Sequence, residues 1–103
     1  MEIVKNLSGG AVTLSINGKL SAATAQEFNA AVEEAQGESN ALVLDFKDVD
    51  YLASAGLRVL VGAQKRASAS GGSLSLLNVR SQVMEVFETT GLDEVFDIRP
   101  KDL

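Results

Sequence analysis

The stretch that decides the fold is ALVLDFKDVDYLASAGLRVLVGAQ, residues 41–64. Its first six residues are almost all apolar, which is typical of a strand at the centre of a sheet that is covered on both faces. The helix predicted from Gly56 onward has one apolar face, formed by Leu57, Leu60, Val61 and Gln64. A buried strand followed by such a helix predicts a β-α-β unit with parallel strands.

Two shorter runs with alternating polarity come before this unit. EIVKNL and AVTLSING are separated by Ser8-Gly9-Gly10, where the glycines allow the positive backbone angles of a tight turn. The sequence therefore begins with a predicted β-hairpin. In its second strand, alternation places Val12, Leu14 and Ile16 on one face.

A first helix is predicted between the hairpin and residue 41. Thr24 and Glu27 have the spacing of a capping box, in which each side chain accepts a hydrogen bond from a free backbone amide at the helix start. Gly37 is the predicted stop. The buried stripe of this helix is predicted to be Ala25, Phe28, Val32 and Ala35.

The C-terminal part of the chain repeats the strand-helix pattern. SLSLLNV at 73–79 predicts a strand, Ser81 is the predicted cap of a third helix that ends at Gly91, and VFDI at 95–98 predicts a last short strand. Residues 98–103 are predicted to be a frayed tail. The inner face of the third helix is predicted to carry Val83, Val86 and Phe87.

The order of these elements predicts the fold class. Strands that alternate with helices pair in parallel through right-handed crossovers. We therefore expect a single α/β domain over residues 1–103, with a mixed but mostly parallel sheet of about five strands, an N-terminal hairpin and three or four helices.

Composition excludes several classes of function. A chain of 103 residues with 46% hydrophobic residues can form one core. Its net charge of -5 would repel a polyphosphate backbone, so nucleic-acid binding is not expected. No apolar run approaches the ~20 residues that span a bilayer, and the N-terminus lacks a signal pattern, so we expect a cytoplasmic protein without a membrane partner. No large apolar surface stripe remains, which predicts a monomer.

The absence of histidine and cysteine limits the possible chemistry. A Ser-His-Asp triad and histidine metal ligands are excluded, and Leu52 stands where a nucleophile elbow before Ser54 requires glycine. Asp45, Asp48 and Asp50 do not have the spacing of a calcium loop and are predicted to form a solvated acidic loop. No phosphate-binding glycine motif occurs, so no cofactor or metal is expected.

The residue types around Ser54 allow two interpretations of its role. Serine is a favoured N-cap, and a helix that starts at Ala55 could use its hydroxyl oxygen as an acceptor. The same position suits a phosphate, because free helix amides and the positive end of the helix dipole stabilise its negative charge. The residue types alone leave both interpretations open.

Three segments together resemble a known family. LVLDFKDVDYLASAGLRVLVGAQKRA, GGSLSLLNV and VFETTGLDEVFDI are similar in order and spacing to the bacterial anti-sigma-factor antagonists of the STAS family. The resemblance extends from LSINGKL to VFDI. It implies a regulatory protein and not an enzyme.

The resemblance also implies partners and a site. Family members bind an anti-sigma factor that is also an ATP-dependent serine kinase, are inactivated when it phosphorylates a serine at the start of the helix after the central strand, and are restored by a serine phosphatase. Matching ASAGL to that motif implies Ser54 as the phosphorylated residue. The implied partner-binding residues are Ser21, Ala53, Ser54, Ala55, Gly56 and Arg58. The alternative is a binding-only STAS module, such as an accessory subunit of a lipid-transport or sensory complex, in which Ser54 only caps its helix.

Overall fold

The structure, a computed structural model, describes residues 1–101. Its elements are β1 (Glu2–Ser8), β2 (Ala11–Leu20), α1 (Ala25–Glu38), β3 (Ala41–Leu52), α2 (Ser54–Ser70), β4 (Ser73–Val79), α3 (Ser81–Thr90), a 3-10 turn (Leu92–Glu94) and β5 (Asp97–Pro100). The sheet order is β1-β2-β3-β4-β5, with β1 antiparallel to β2 and the later neighbours parallel. The predicted α/β domain, the hairpin and the central position of β3 are confirmed.

The prediction that β3 is covered on both faces is wrong. Leu42 and Leu44 are buried in the core, whereas the alternate residues Val43 and Asp45 are only half-buried. The strands follow one another across the sheet in chain order, so right-handed crossovers place all the helices on the same face. The domain therefore has two layers, and the second face of the sheet is open to solvent.

Helix α1 begins without the predicted capping box. The Thr24 hydroxyl turns back to the preceding turn, where it donates to the Lys19 carbonyl oxygen at 2.6 Å and accepts from the Ser21 amide at 3.0 Å. Its oxygen is therefore not used by the helix amides. Gly37 lies inside the helix, which ends one residue later at Glu38. The buried stripe is Phe28, Val32 and Ala35.

Helix α2 packs closely against α1, which changes its predicted apolar face. Gln36 of α1 donates from Nε2 to the Ala63 carbonyl oxygen at 2.9 Å. Small residues permit this approach, so Ala63 and Ala67 are buried, whereas Val61 and Gln64 are half-buried. Helix α2 ends, as predicted, at a glycine: Gly71 has the left-handed φ of 71°.

The C-terminal part differs from the prediction in two ways. A 3-10 turn follows Gly91 and delays the last strand, which begins at Asp97 and not at 95. Ile98 and Pro100 pair with β4, and the amide of Lys101 donates to the Val79 carbonyl oxygen at 3.0 Å. Residues 98–100 are therefore strand and not a frayed tail, and residues 102–103 lie outside the described part of the chain.

Two ion pairs connect strand β1 to helix α1. The Nζ of Lys5 lies 2.8 Å from a Glu34 carboxylate oxygen and also bonds Glu38. The hydrogen bond from Lys5 lowers the pKa of Glu34 below its ordinary value of 4.5, and the bonds from Glu34 and Glu38 raise the pKa of Lys5. Because the Glu34 pKa is depressed, its stabilising effect is complete above pH 4.5 and is lost as the pH falls through the folded-state pKa.

We expect Glu34→Gln to lower the thermal midpoint at pH 7 by no more than about 3 °C, since exposed ion pairs contribute little. The difference from the parent should disappear at acidic pH, where the Glu34 carboxyl of the parent is protonated, and in high salt. Thermal unfolding followed by circular dichroism at several pH values measures it. Glu88→Gln is the control, because Glu88 has no ion pair within residues 1–101. A loss that persists at low pH would contradict the ion-pair explanation.

Candidate functional site

The candidate site lies where β2 and β3 end side by side. Leu20 and Leu52 are register partners at the carboxyl ends of these parallel strands. The amide of Ala53 donates to the Leu20 carbonyl oxygen at 2.8 Å, which holds the two chain exits together. Ser21 and Ala53 therefore leave the sheet at the same place, and α2 starts immediately beyond Ala53.

Ser54 is the first residue of α2, and its predicted role as N-cap is wrong. The N-cap is Ala53, with φ -96° and ψ 172°, and its carbonyl oxygen accepts the first helical hydrogen bond, from the Leu57 amide at 3.0 Å. A side chain caps a helix from the N-cap position, and Ser54 lies one residue too late. Its side chain is exposed and forms no capping hydrogen bond within the described residues. The hydroxyl is therefore open to reaction.

The start of α2 favours an anion at Ser54. The amides of the first helical turn have no acceptor within the helix, and they point outward at the positive end of its dipole. No acidic side chain lies in this turn to neutralise it. Ala53 and Ala55 flank the hydroxyl with small side chains. A phosphate on Ser54 would therefore meet unneutralised donors and little steric hindrance.

The other predicted site residues are near Ser54 in the chain or across the strand ends, with different exposures. Arg58 is exposed one turn further along α2, and Ser21 is half-buried. Gly56 is buried, in contrast to its predicted place on a contact surface. A Cβ on Gly56 would lie 2.9 Å from the Leu20 Cβ and 3.0 Å from the Leu52 Cδ1. Because Gly56 has no side chain, the start of α2 can lie close to the ends of β2 and β3. Gly56 itself is not exposed for contact with a partner.

Sequence reasoning missed two residues at this end of the sheet. Lys19 and Tyr51 are register partners, and the Lys19 Nζ lies 5.8 Å from the centre of the Tyr51 ring. The same ammonium lies 3.3 Å from the Asp50 carboxylate. Tyr51 is a large exposed apolar residue, with 49% of its surface accessible. We call Lys19, Ser21, Tyr51, Ser54 and Arg58 the Ser54 surface.

The predicted acidic loop is part of strand β3. Asp45 accepts hydrogen bonds from the Lys47 amide and the Asn78 side-chain amide, each at 3.0 Å, and Asp50 pairs with Lys19. These carboxylates are therefore engaged in local bonds. Among residues 1–101, no group of acidic side chains is arranged to hold a metal ion, and no helix is both long and apolar enough to cross a membrane.

Nearly all of the described part of the chain is similar to known proteins. The sequence model of the STAS domain matches residues 2–101. The anti-sigma-B factor antagonist of Bacillus subtilis is 44% identical over 55 residues, which are 53% of this chain and 50% of that protein. The anti-sigma-B factor antagonist of Listeria monocytogenes is 32% identical over 89 residues, 85% of this chain and 78% of that protein.

A solved structure is also similar to this chain, both in fold and in sequence. The crystal structure of a Thermotoga maritima protein is 27% identical, superposes with a TM-score of 0.88, and the match covers 94% of this chain and 85% of that one. The similarity therefore includes the whole sheet and its helices as well as the sequence around Ser54.

Proposed function

The chain belongs to the STAS domain family, among the bacterial anti-sigma factor antagonists, and from this we propose that it binds an anti-sigma factor through the Ser54 surface when Ser54 is unmodified. Binding releases a sigma factor in the cytoplasm. The anti-sigma factor is also a serine kinase that phosphorylates Ser54, and a serine phosphatase reverses the modification. In this relay the protein is a substrate and a binding partner, and the catalysis belongs to those enzymes.

The observation that carries the proposal is the free hydroxyl of Ser54. It is exposed at the first residue of α2, without a capping hydrogen bond. In the binding-only alternative Ser54 serves only as a helix cap, and a capping serine uses its oxygen within the helix. The absence of that bond and the exposure of the hydroxyl instead support access by a kinase.

The chemistry of the switch is a simple transfer. The Ser54 oxygen attacks the γ-phosphorus of ATP, the bond from that phosphorus to the β-γ bridging oxygen breaks, and the hydroxyl proton passes to a base of the kinase. The product carries a charge of about -1.5 to -2 at pH 7. Since Ser54 and its chain neighbours Ala53 and Ala55 carry no charge, the modification changes this three-residue stretch from neutral to strongly anionic.

That change weakens binding without a change of fold. When the interface forms, water must leave the side chain at position 54. Removing water from a dianion costs much more free energy than removing it from a hydroxyl. It also repels any acidic group of the partner. Tyrosine is one of the residue types enriched among interface anchors, so we include the exposed ring of Tyr51 in the proposed contact.

We expect the protein to take up about one phosphate when it is incubated with its cognate anti-sigma factor and ATP, and the phosphate to be on Ser54. Intact mass spectrometry measures the stoichiometry, and peptide fragmentation assigns the site. Ser54→Ala should abolish uptake, whereas Ser81→Ala, which removes the exposed hydroxyl at the start of α3, should retain it. Binding without uptake would favour the accessory-module alternative, and uptake on another residue would contradict the proposed switch.

A further inference from the structure

Arg58 is a cation without a partner at the start of α2. Its side chain is exposed, and within residues 1–101 it forms no ion pair and no side-chain hydrogen bond. By contrast, Arg66 further along the same helix bonds Gln36 and approaches Glu33. The Arg58 guanidinium is therefore free to bind a new negative charge near the start of α2.

The helix geometry directs Arg58 toward Ser54. The two residues are four apart in α2, so they lie on the same face of the helix, one turn from each other. Side chains on a helix tilt toward its N-terminus, so a long side chain at 58 covers the turn that contains residue 54. Both residues are exposed, and the residue that follows Ser54, Ala55, has only a small side chain.

Lys19, another cation at this end of the sheet, is already engaged. Lys19 is bonded to Asp50 and lies over the ring of Tyr51. The first turn of α2 contains no acidic residue that could compete for the guanidinium. Arg58 is therefore the cation best placed to meet a new negative charge on Ser54.

We propose that Arg58 is the internal counter-ion of a phosphate on Ser54. The planar guanidinium donates hydrogen bonds to two phosphate oxygens, and the free backbone amides at the N-terminus of α2 donate to the same phosphate. Phosphorylation then has two effects on the Ser54 surface: it adds a dianion, and it removes a free guanidinium from the solvent-facing side. The inference rests on the proposed function only in taking Ser54 as the residue that carries phosphate.

The test uses the full chain with phosphoserine inserted at position 54 during translation, so no kinase is needed. The ³¹P resonance is followed against pH to obtain the second pKa of the phosphate, which is about 6 in a free phosphoserine. A nearby cation favours the dianion, so this pKa should be lower in the parent than in Arg58→Gln by about 0.3. Arg58→Lys should give an intermediate value, because it keeps the charge and loses the bidentate geometry.

Lys65→Gln is the matched control. It removes the same charge from an exposed position on α2, eleven residues from Ser54 or about 16 Å along the axis, and should leave the phosphate pKa unchanged. A second measurement follows the Arg58 guanidinium N–H resonances, which should shift and exchange more slowly with water after phosphorylation. Equal phosphate pKa values in the parent and Arg58→Gln, with unshifted guanidinium resonances, would overturn the proposal. A failure of the kinase to modify Ser54 would instead bear on the proposed function alone.

Discussion

Ser54→Asp is expected to weaken binding of the anti-sigma factor by about 30-fold or more while the thermal midpoint stays within about 3 °C of the parent. A carboxylate supplies one of the phosphate's negative charges at the same place. Removing water from a charge in a closed interface costs about 2 kcal/mol or more even when a cation of the same chain lies nearby, which corresponds to that factor in affinity. Isothermal titration calorimetry with the cognate anti-sigma factor measures the loss.

The stability of this variant follows from the position of Ser54. The side chain is exposed and forms no capping bond that the substitution could break. An acidic residue in the first turn of a helix is favoured by the dipole by about 0.3–1 kcal/mol. The variant should therefore unfold at the same temperature as the parent or slightly above it. Unfolding of Ser54→Asp at ordinary temperature would show that Ser54 is mainly structural.

Ser81→Asp is the matched control for charge. Ser81 is also exposed, is also the first residue of its helix, and follows an N-cap residue, Arg80, whose side chain provides no capping hydrogen bond. The variant adds the same charge at the equivalent position of the next helix. It should bind the anti-sigma factor nearly as well as the parent. If both variants lost affinity equally, net charge and not the Ser54 surface would be the cause.

The sequence predicted the architecture but not the details of the candidate site. Gly9, Gly10 and Gly71 mark turns because few other residues adopt their positive φ, so the hairpin and the end of α2 were predictable. The N-cap was not, since an extended alanine carries no capping signal and the serine beside it does. The prediction placed the cap on Ser54, one residue too late.

The last part of β3 was predicted as a loop and not as strand, for a different reason. Two register shifts interrupt its pairing with β2, and each gives β3 one extra residue. The buried residues Phe46, Val49 and Leu52 are consequently spaced by three and not by two. A search for alternation interprets KDVDY as a loop, and Lys19 and Tyr51 are then not recognised as neighbours. The missed part of the Ser54 surface lies in this irregular segment.

The second large effect, on stability, is expected at Gly56, which allows the start of α2 to lie close to Leu20. Alanine at a helix position is favoured over glycine by up to about 1 kcal/mol, so propensity alone predicts that Gly→Ala stabilises. Gly37 in α1 meets that condition, because an added Cβ would have no atom within 4 Å. Gly56 does not: the Leu20 Cβ would be at 2.9 Å, and the Leu20 carbonyl oxygen, at 3.2 Å, belongs to backbone that cannot rotate away.

We therefore expect Gly56→Ala to lower the free energy of unfolding by about 1–3 kcal/mol, whereas Gly37→Ala leaves it unchanged or raises it. Relief of the contact must move the first turn of α2 away from Leu20, because the strand end is held by the Ala53 hydrogen bond. Ser54 moves with that turn, so Gly56→Ala should also slow phosphate uptake under conditions where the variant remains folded. Urea unfolding and the uptake rate measure the two effects. If Gly56→Ala stabilised the protein as much as Gly37→Ala, the close approach of α2 to Leu20 would not be what positions Ser54.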